Sequence, residues 1–260
     1  MNTKNLEYLQ EGLKYLGFDA KLNLELARNI KDQPPAFELH AETKYQQDIM
    51  NATLHFRKSD NSDMYFFNKY DATLTSPDGA NKNQTFYINK NAGITMKEGY
   101  NLLSGRAVNK DLVNKAGERY NAWVQLDMDS KDKHNNHPVK QFTANYGYDL
   151  EMAVSKHPVK ELGDAEQKSK MMRSLQKGNI QSVTFLKDGK EERMFLEANP
   201  RFKSVNLYDA HMKKVYQENV SEKNTANQRQ TKTEQKGQVQ KQRPEQEEAK
   251  KPRQRKGQRM

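Results

Sequence analysis

Leu6, Leu9, Leu13 and Leu16 recur at helical spacing with polar residues between them, and Gly17 can take the left-handed backbone of a helix stop. Asp19 is placed to cap a second helix whose apolar face is Leu22, Leu26 and Ile30, and Pro34-Pro35 ends it. The period then drops to two. Met50, Ala52, Leu54 and Phe56 alternate with polar residues across 49–57, the pattern of a half-buried antiparallel strand. Residues 64–74 are rich in aromatic and β-branched side chains, and Pro77-Asp78-Gly79 marks a turn before a further strand over 85–89.

From residue 95 the pattern starts again, twice. Thr95 and Glu98 have capping-box spacing, Leu102 and Leu103 form an apolar face, and Gly105 follows. Asp164 and Gln167 have the same spacing, Met171, Met172 and Leu175 are apolar, and Gly178 follows. Beyond each helix the copies align on the turn glycines Gly117 and Gly189. Val108 matches Ile180, Val113 matches Phe185, and Ala122, Trp123, Val124 and Leu126 match Met194, Phe195, Leu196 and Ala198. A shared apolar parity is what a common hairpin register requires. The segment 51–56 parallels 121–126 more loosely. These correspondences predict helix–strand–strand–strand units over about 5–75, 95–150 and 163–210. The expected fold is α+β, with tandem helix-plus-antiparallel-sheet units over 1–92, 93–160 and 161–218.

Each unit closes on an Asn followed shortly by Tyr-Asp: Asn68-Lys69-Tyr70-Asp71, Asn145-Tyr146-Gly147-Tyr148-Asp149 and Asn206-Leu207-Tyr208-Asp209. Tyr70, Tyr148 and Tyr208 offer a stacking face and a hydroxyl, which suits a partner-contacting set. The same residues also suit a sheet edge followed by a turn. Trp123 and Phe195 face away from their apolar neighbours, so that second face either covers a helix or receives a partner.

Composition changes the picture at one end. The 260 residues carry a formal charge of +10 and a mean hydropathy of -1.14. Residues 221–260 hold 12 Lys/Arg against 5 Asp/Glu, so most of that charge sits in the last forty positions. After Val220 the apolar residues are Ala226, Val239, Ala249 and Met260, too few to offset ordering entropy, so 219–260 is expected to be a disordered basic tail. Within it Lys250, Lys251, Arg253, Arg255, Lys256 and Arg259 cluster without an acid, a pattern that attracts phosphates through counterion release. The alternative is a solvated linker. No aromatic residue interleaves these charges, so base stacking would have to come from elsewhere.

The chain has no cysteine, which excludes disulfides, Cys-ligated zinc and thiol catalysis. Asp132, His134 and His137 form the best metal-like cluster and would carry a metal-dependent hydrolase or nuclease. Their spacing in a loop matches no catalytic signature, and neither phosphate-cradling glycine loops nor a Gly-x-Ser-x-Gly elbow occurs. No catalytic residue and no cofactor is therefore expected. The apolar run Met64-Tyr65-Phe66-Phe67 is far too short to span a bilayer, and residues 1–14 lack the apolar core of a signal peptide. A cytoplasmic protein without membrane partners is expected.

The segments Leu103-Ser104-Gly105-Arg106-Ala107-Val108, Tyr120-Asn121-Ala122-Trp123-Val124-Gln125-Leu126, Ser174-Leu175-Gln176-Lys177-Gly178-Asn179 and Glu197-Ala198-Asn199-Pro200-Arg201-Phe202-Lys203 resemble a family of uncharacterised Bacteroidota proteins associated with conjugative transposons and other mobile elements. The resemblance covers nearly all of 1–215. It implies a context of DNA transfer, its defence or its regulation, and brings no known activity, fold or catalytic residue. The expectation is a non-enzymatic accessory protein whose tail contacts nucleic acid and whose body binds a protein partner. The alternatives are the metal-dependent enzyme and a purely structural interaction module.

Overall fold

A computed structural model describes residues 2–88, 93–187 and 189–216; the basic tail lies outside the described residues. The body is α+β. Helices α1 (Thr3–Tyr15) and α2 (Leu22–Asp32) precede a meander of β1 (Ala36–Tyr45), β2 (Asp48–Lys58), β3 (Tyr65–Thr75) and β4 (Asn81–Tyr87). Helix α3 (Met96–Leu103) leads into a three-stranded sheet of β5 (Val108–Val113), β6 (Arg119–Leu126) and β7 (Val139–Thr143). Helices α4 (Leu150–Ser155) and α5 (Ala165–Gln176) lead into the third sheet. Its strands are β8 (Gln181–Lys187), β9 (Lys190–Asn199), β10 (Ser204–Tyr208) and β11 (Lys214–Val215). Every strand pairing is antiparallel. Among the described residues no helix is long and apolar enough to cross a membrane.

Local chemistry sets the element ends. The Asn2 side chain caps α1 by accepting from the Asn5 N–H, and Gly17 follows the helix at φ +80°. Asp19 does not cap α2 directly. Its carboxylate accepts from the Lys21 N–H and forms the turn before the helix, and Gln33 ends α2 in the left-handed region ahead of the prolines. Thr95 and Glu98 form a reciprocal capping box, and Asp164 caps α5 by accepting from the Gln167 N–H. Strand β4 starts at Asn81, four residues before the expected 85, because Asn81 already pairs with Thr75.

The alignment of the second and third hairpins holds on β6 and β9 but slips by one residue on their first strands. The ladder of β5 and β6 closes at Val113 and Arg119, with five residues between them. The ladder of β8 and β9 closes at Lys187 and Lys190, with two. Phe185 therefore shares the face of Met194 and Leu196, whereas Val113 lies on the face opposite Val124 and is exposed. Helix α4, which the periodicity does not predict, has six residues, too few to show a period.

Two apolar cores result. The first joins α1, α2 and α3 to the inner face of the β1–β4 sheet and takes in Val108, Val124 and Leu126. The second joins α4, α5 and β8–β10, and takes in Ala107 and Trp123. Strand β6 thus has apolar residues buried on both faces, which explains its unbroken run Ala122-Trp123-Val124. Leu26, Ile30, Leu39, Met50 and Leu54 are fully enclosed. Each such side chain contributes roughly 1.5–3 kcal/mol through burial.

The C-termini of α3 and α5 meet. Asn101 Nδ2 donates to the carbonyl of Lys177 (2.6 Å) and to Asn179 Oδ1 (3.0 Å). Arg106 Nε donates to the carbonyl of Gly178 (3.0 Å), and its Nη2 donates to Asn101 Oδ1 (2.6 Å). Cationic and amide donors thus satisfy carbonyls that a helix end leaves open. Gly178 has φ +77°, and a Cβ there would lie 2.7 Å from the carbonyl oxygen of Ala107, so two requirements fix glycine at this junction.

Candidate binding surfaces

The three Tyr-Asp closings occupy different environments. Tyr70 on β3 is fully buried; its hydroxyl donates to the carbonyls of Ile94 (2.9 Å) and Thr95 (3.3 Å), which pins the start of α3. Burial, then the nearby Glu98 and Tyr45, push its phenol well above the usual range. Tyr148 is half-buried, donates to the carbonyl of Ser204 (3.0 Å), and meets Trp123 edge-on at 5.3 Å. Tyr208 is half-buried and donates to Glu197 Oε2 (2.7 Å), while Asn206 Nδ2 donates to the other oxygen (3.1 Å). Trp123 is 6% exposed within the second core. Phe195 is half-buried beneath the Arg193 guanidinium at 5.1 Å. Of these five residues, Tyr70 and Trp123 are enclosed by the fold, and Tyr148, Phe195 and Tyr208 keep accessible edges.

The loop carrying Asp132, His134 and His137 is held together by other interactions. Asp132 Oδ1 accepts from the backbone N–H groups of His134 (2.8 Å) and Asn136 (2.9 Å), closing the turn. These bonds, the one to Asn136 foremost, hold its carboxyl below the ordinary value. His137 is turned inward and 4% exposed, with Nδ1 facing the carbonyls of Asp127 (3.3 Å) and Ser130 (3.0 Å). Two acceptors at Nδ1 place the ring hydrogen there, and Nε2 is buried without a partner. Among the described residues no group of three or more His, Cys, Asp or Glu side chains is placed to hold a metal ion. The loop docks instead on the first sheet. Asn136 Oδ1 accepts from the Thr85 N–H (2.7 Å), and Gln84 exchanges hydrogen bonds with the His137 backbone, so the loop covers the edge of β4.

Where this loop meets the outer face of the first sheet, an open groove of about 430 Å³ is lined by Lys69, Asp71, Thr73, Asn83, Thr85, Tyr87 and His134, among others. On the same outer face, at the border of the groove, His55 on β2 sits between two carboxylates. Its Nδ1 is 3.0 Å from Glu38 Oε1, and its Nε2 is 2.6 Å from Asp71 Oδ2. An imidazolium satisfies both contacts; a neutral ring satisfies one. Partial burial acts to raise the Asp71 carboxyl, but hydrogen bonds from Thr85, His55 and Lys69 outweigh it and hold the group below its ordinary value. Alternation marks Glu38, His55 and Asp71 as outward-facing, but their juxtaposition depends on strand register.

A second surface forms where the 3₁₀ turn Ala144–Tyr146 meets the 3₁₀ turn Pro200–Phe202. The Tyr146 hydroxyl donates to the Arg201 carbonyl (2.7 Å). Lys203 Nζ lies 4.8 Å from the Tyr146 ring centroid, and the Arg201 guanidinium lies 5.5 Å from that of Phe202. Phe202 is 69% exposed. The signal in sequence is the alternation Arg201-Phe202-Lys203; only the fold adds Tyr146 from 55 residues away. Comparisons with family models, curated proteins and solved structures find no match for the chain.

Proposed function

We propose that the chain is a non-catalytic accessory protein of a mobile element, with a basic tail that contacts nucleic acid and a body that binds a protein partner. The observation that carries this reading is charge segregation. Twelve cationic residues against five acidic ones fall within 221–260, and six cations without an acid fall within 250–259. Such a segment binds phosphates by releasing condensed counterions, with little demand on shape. The half-buried Phe195 and Tyr208, on the paired strands β9 and β10, are the body residues that support a protein contact. The metal-dependent reading gains nothing from the loop's geometry: among the described residues no group of three or more His, Cys, Asp or Glu side chains is placed to hold a metal ion.

The test is binding of the full chain to duplex DNA, single-stranded DNA and RNA across a salt series. The comparison variant carries glutamine at Lys250, Lys251, Arg253, Arg255, Lys256 and Arg259. Neutralising six phosphate contacts should flatten the slope of log affinity against log salt by roughly 4–5. An unchanged slope would remove the tail from the binding account. Absence of binding by the parent chain would leave the structural interaction module as the better reading.

A further inference from the structure

We propose that Tyr146, Arg201, Phe202 and Lys203 form a stacking clamp for unpaired bases of a single-stranded nucleic acid. This rests on the reading that the protein binds nucleic acid, and adds to it a site in the body that distinguishes single strands from duplex.

Phe202 sits on a three-residue 3₁₀ turn with 69% of its surface exposed; Tyr8, Tyr15, Tyr87 and Tyr216 are about as exposed, and what sets Phe202 apart is its place between two cations. Single exposed rings are ordinary on protein surfaces, so the flanking residues carry the inference. Arg201 and Lys203 are both exposed, and among the described residues neither forms an ion pair. Lys203 lies over one face of Tyr146, which Phe142 also contacts, and Arg201 lies over one face of Phe202, so the exposed remainder of the Phe202 ring would stack a base while the two cations meet backbone phosphates. Duplex DNA keeps its bases stacked inside and offers no such faces.

Backbone conformation supports the same conclusion. Lys203 has φ +50°, a region glycine occupies at lower cost, yet the position carries a long cation whose Nζ reaches the Tyr146 ring. The clamp is also pre-organised. Pro200 is buried, the Lys203 N–H donates to its carbonyl (3.0 Å), and the hydroxyls of Tyr146 and Tyr148 tie the two turns together through Arg201 and Ser204.

The experiment uses the full chain with oligothymidylate and with a duplex of matched length. Phe202→Ala and Phe202→Leu should each weaken oligothymidylate binding roughly ten-fold and leave duplex binding unchanged. Phe202→Trp should retain affinity and gain a fluorescence that oligothymidylate quenches; the native Trp123 is buried and serves as the unquenched reference. Circular dichroism of each variant should match the parent, because Phe202 supports no core. If both Phe202→Ala and Phe202→Leu keep the parental affinity for oligothymidylate, the clamp is wrong, the tail reading stands, and the exposed ring is left for a protein surface. If the parent binds no nucleic acid, clamp and tail fall together.

Discussion

His157 is 8% exposed and stacks on Phe185 at a centroid distance of 6.0 Å. Burial, and after it the charge of Lys156, holds its pKa below the ordinary value. The unfolded chain accepts a proton that the folded chain resists. The resulting contribution is therefore full above about pH 6.5 and is lost as pH falls from there towards the folded value. Urea midpoints measured between pH 7 and pH 5 should fall, and His157→Gln should show a shallower fall over the same window. An identical slope in the variant would assign the pH dependence to other groups. Not every chemically suggestive residue behaves as its type suggests. Asp132 and His137 have metal-ligand chemistry, but a carboxylate two residues before a backbone N–H closes a turn at no distance, and that local bond wins.

At the scale of elements, Glu98 joins α3 to β5. Its carboxylate completes the capping box by accepting from the Thr95 N–H (2.9 Å) and meets Lys110 Nζ at 2.8 Å, with both side chains largely buried. Removing one partner leaves a charge without compensation. Lys110→Met should cost about 3–5 kcal/mol, whereas Lys110→Met combined with Glu98→Gln should recover much of that loss, read by denaturant titration. Additive single losses would show that the pair contributes as two separate groups. Helix ends and inward faces of strands were legible in the sequence, because Thr95, Asp164 and the leucine spacings act through neighbours within a turn or two. The Arg106–Asn101–Gly178 junction and the Tyr146–Arg201 contact were not. They join residues far apart in the chain, and no periodicity marks which helix end or turn will meet another.

For the whole molecule, β6 is the shared wall: Val124 and Leu126 line one core and Trp123 the other. Trp123 is the single tryptophan, so its fluorescence reports the second core while circular dichroism reports every element. The two urea transitions should coincide; a separation would mean that the cores unfold independently. Two similar hairpins in one chain also create a hazard during folding, since a strand of one can be captured by the other. Laid on β9 in its native register, β5 would put Lys110 opposite Met194, because Val124 corresponds to Leu196. The helix position equivalent to Glu98 there is Gln167, which is exposed and uncharged. The exchanged strand would carry its ammonium to the face of Met194 and Leu196, beneath a helix that offers no carboxylate at the position of Glu98. A carboxylate placed over β5, with glutamine at the equivalent place in the other unit, thus favours the native partner of that strand over the exchanged one.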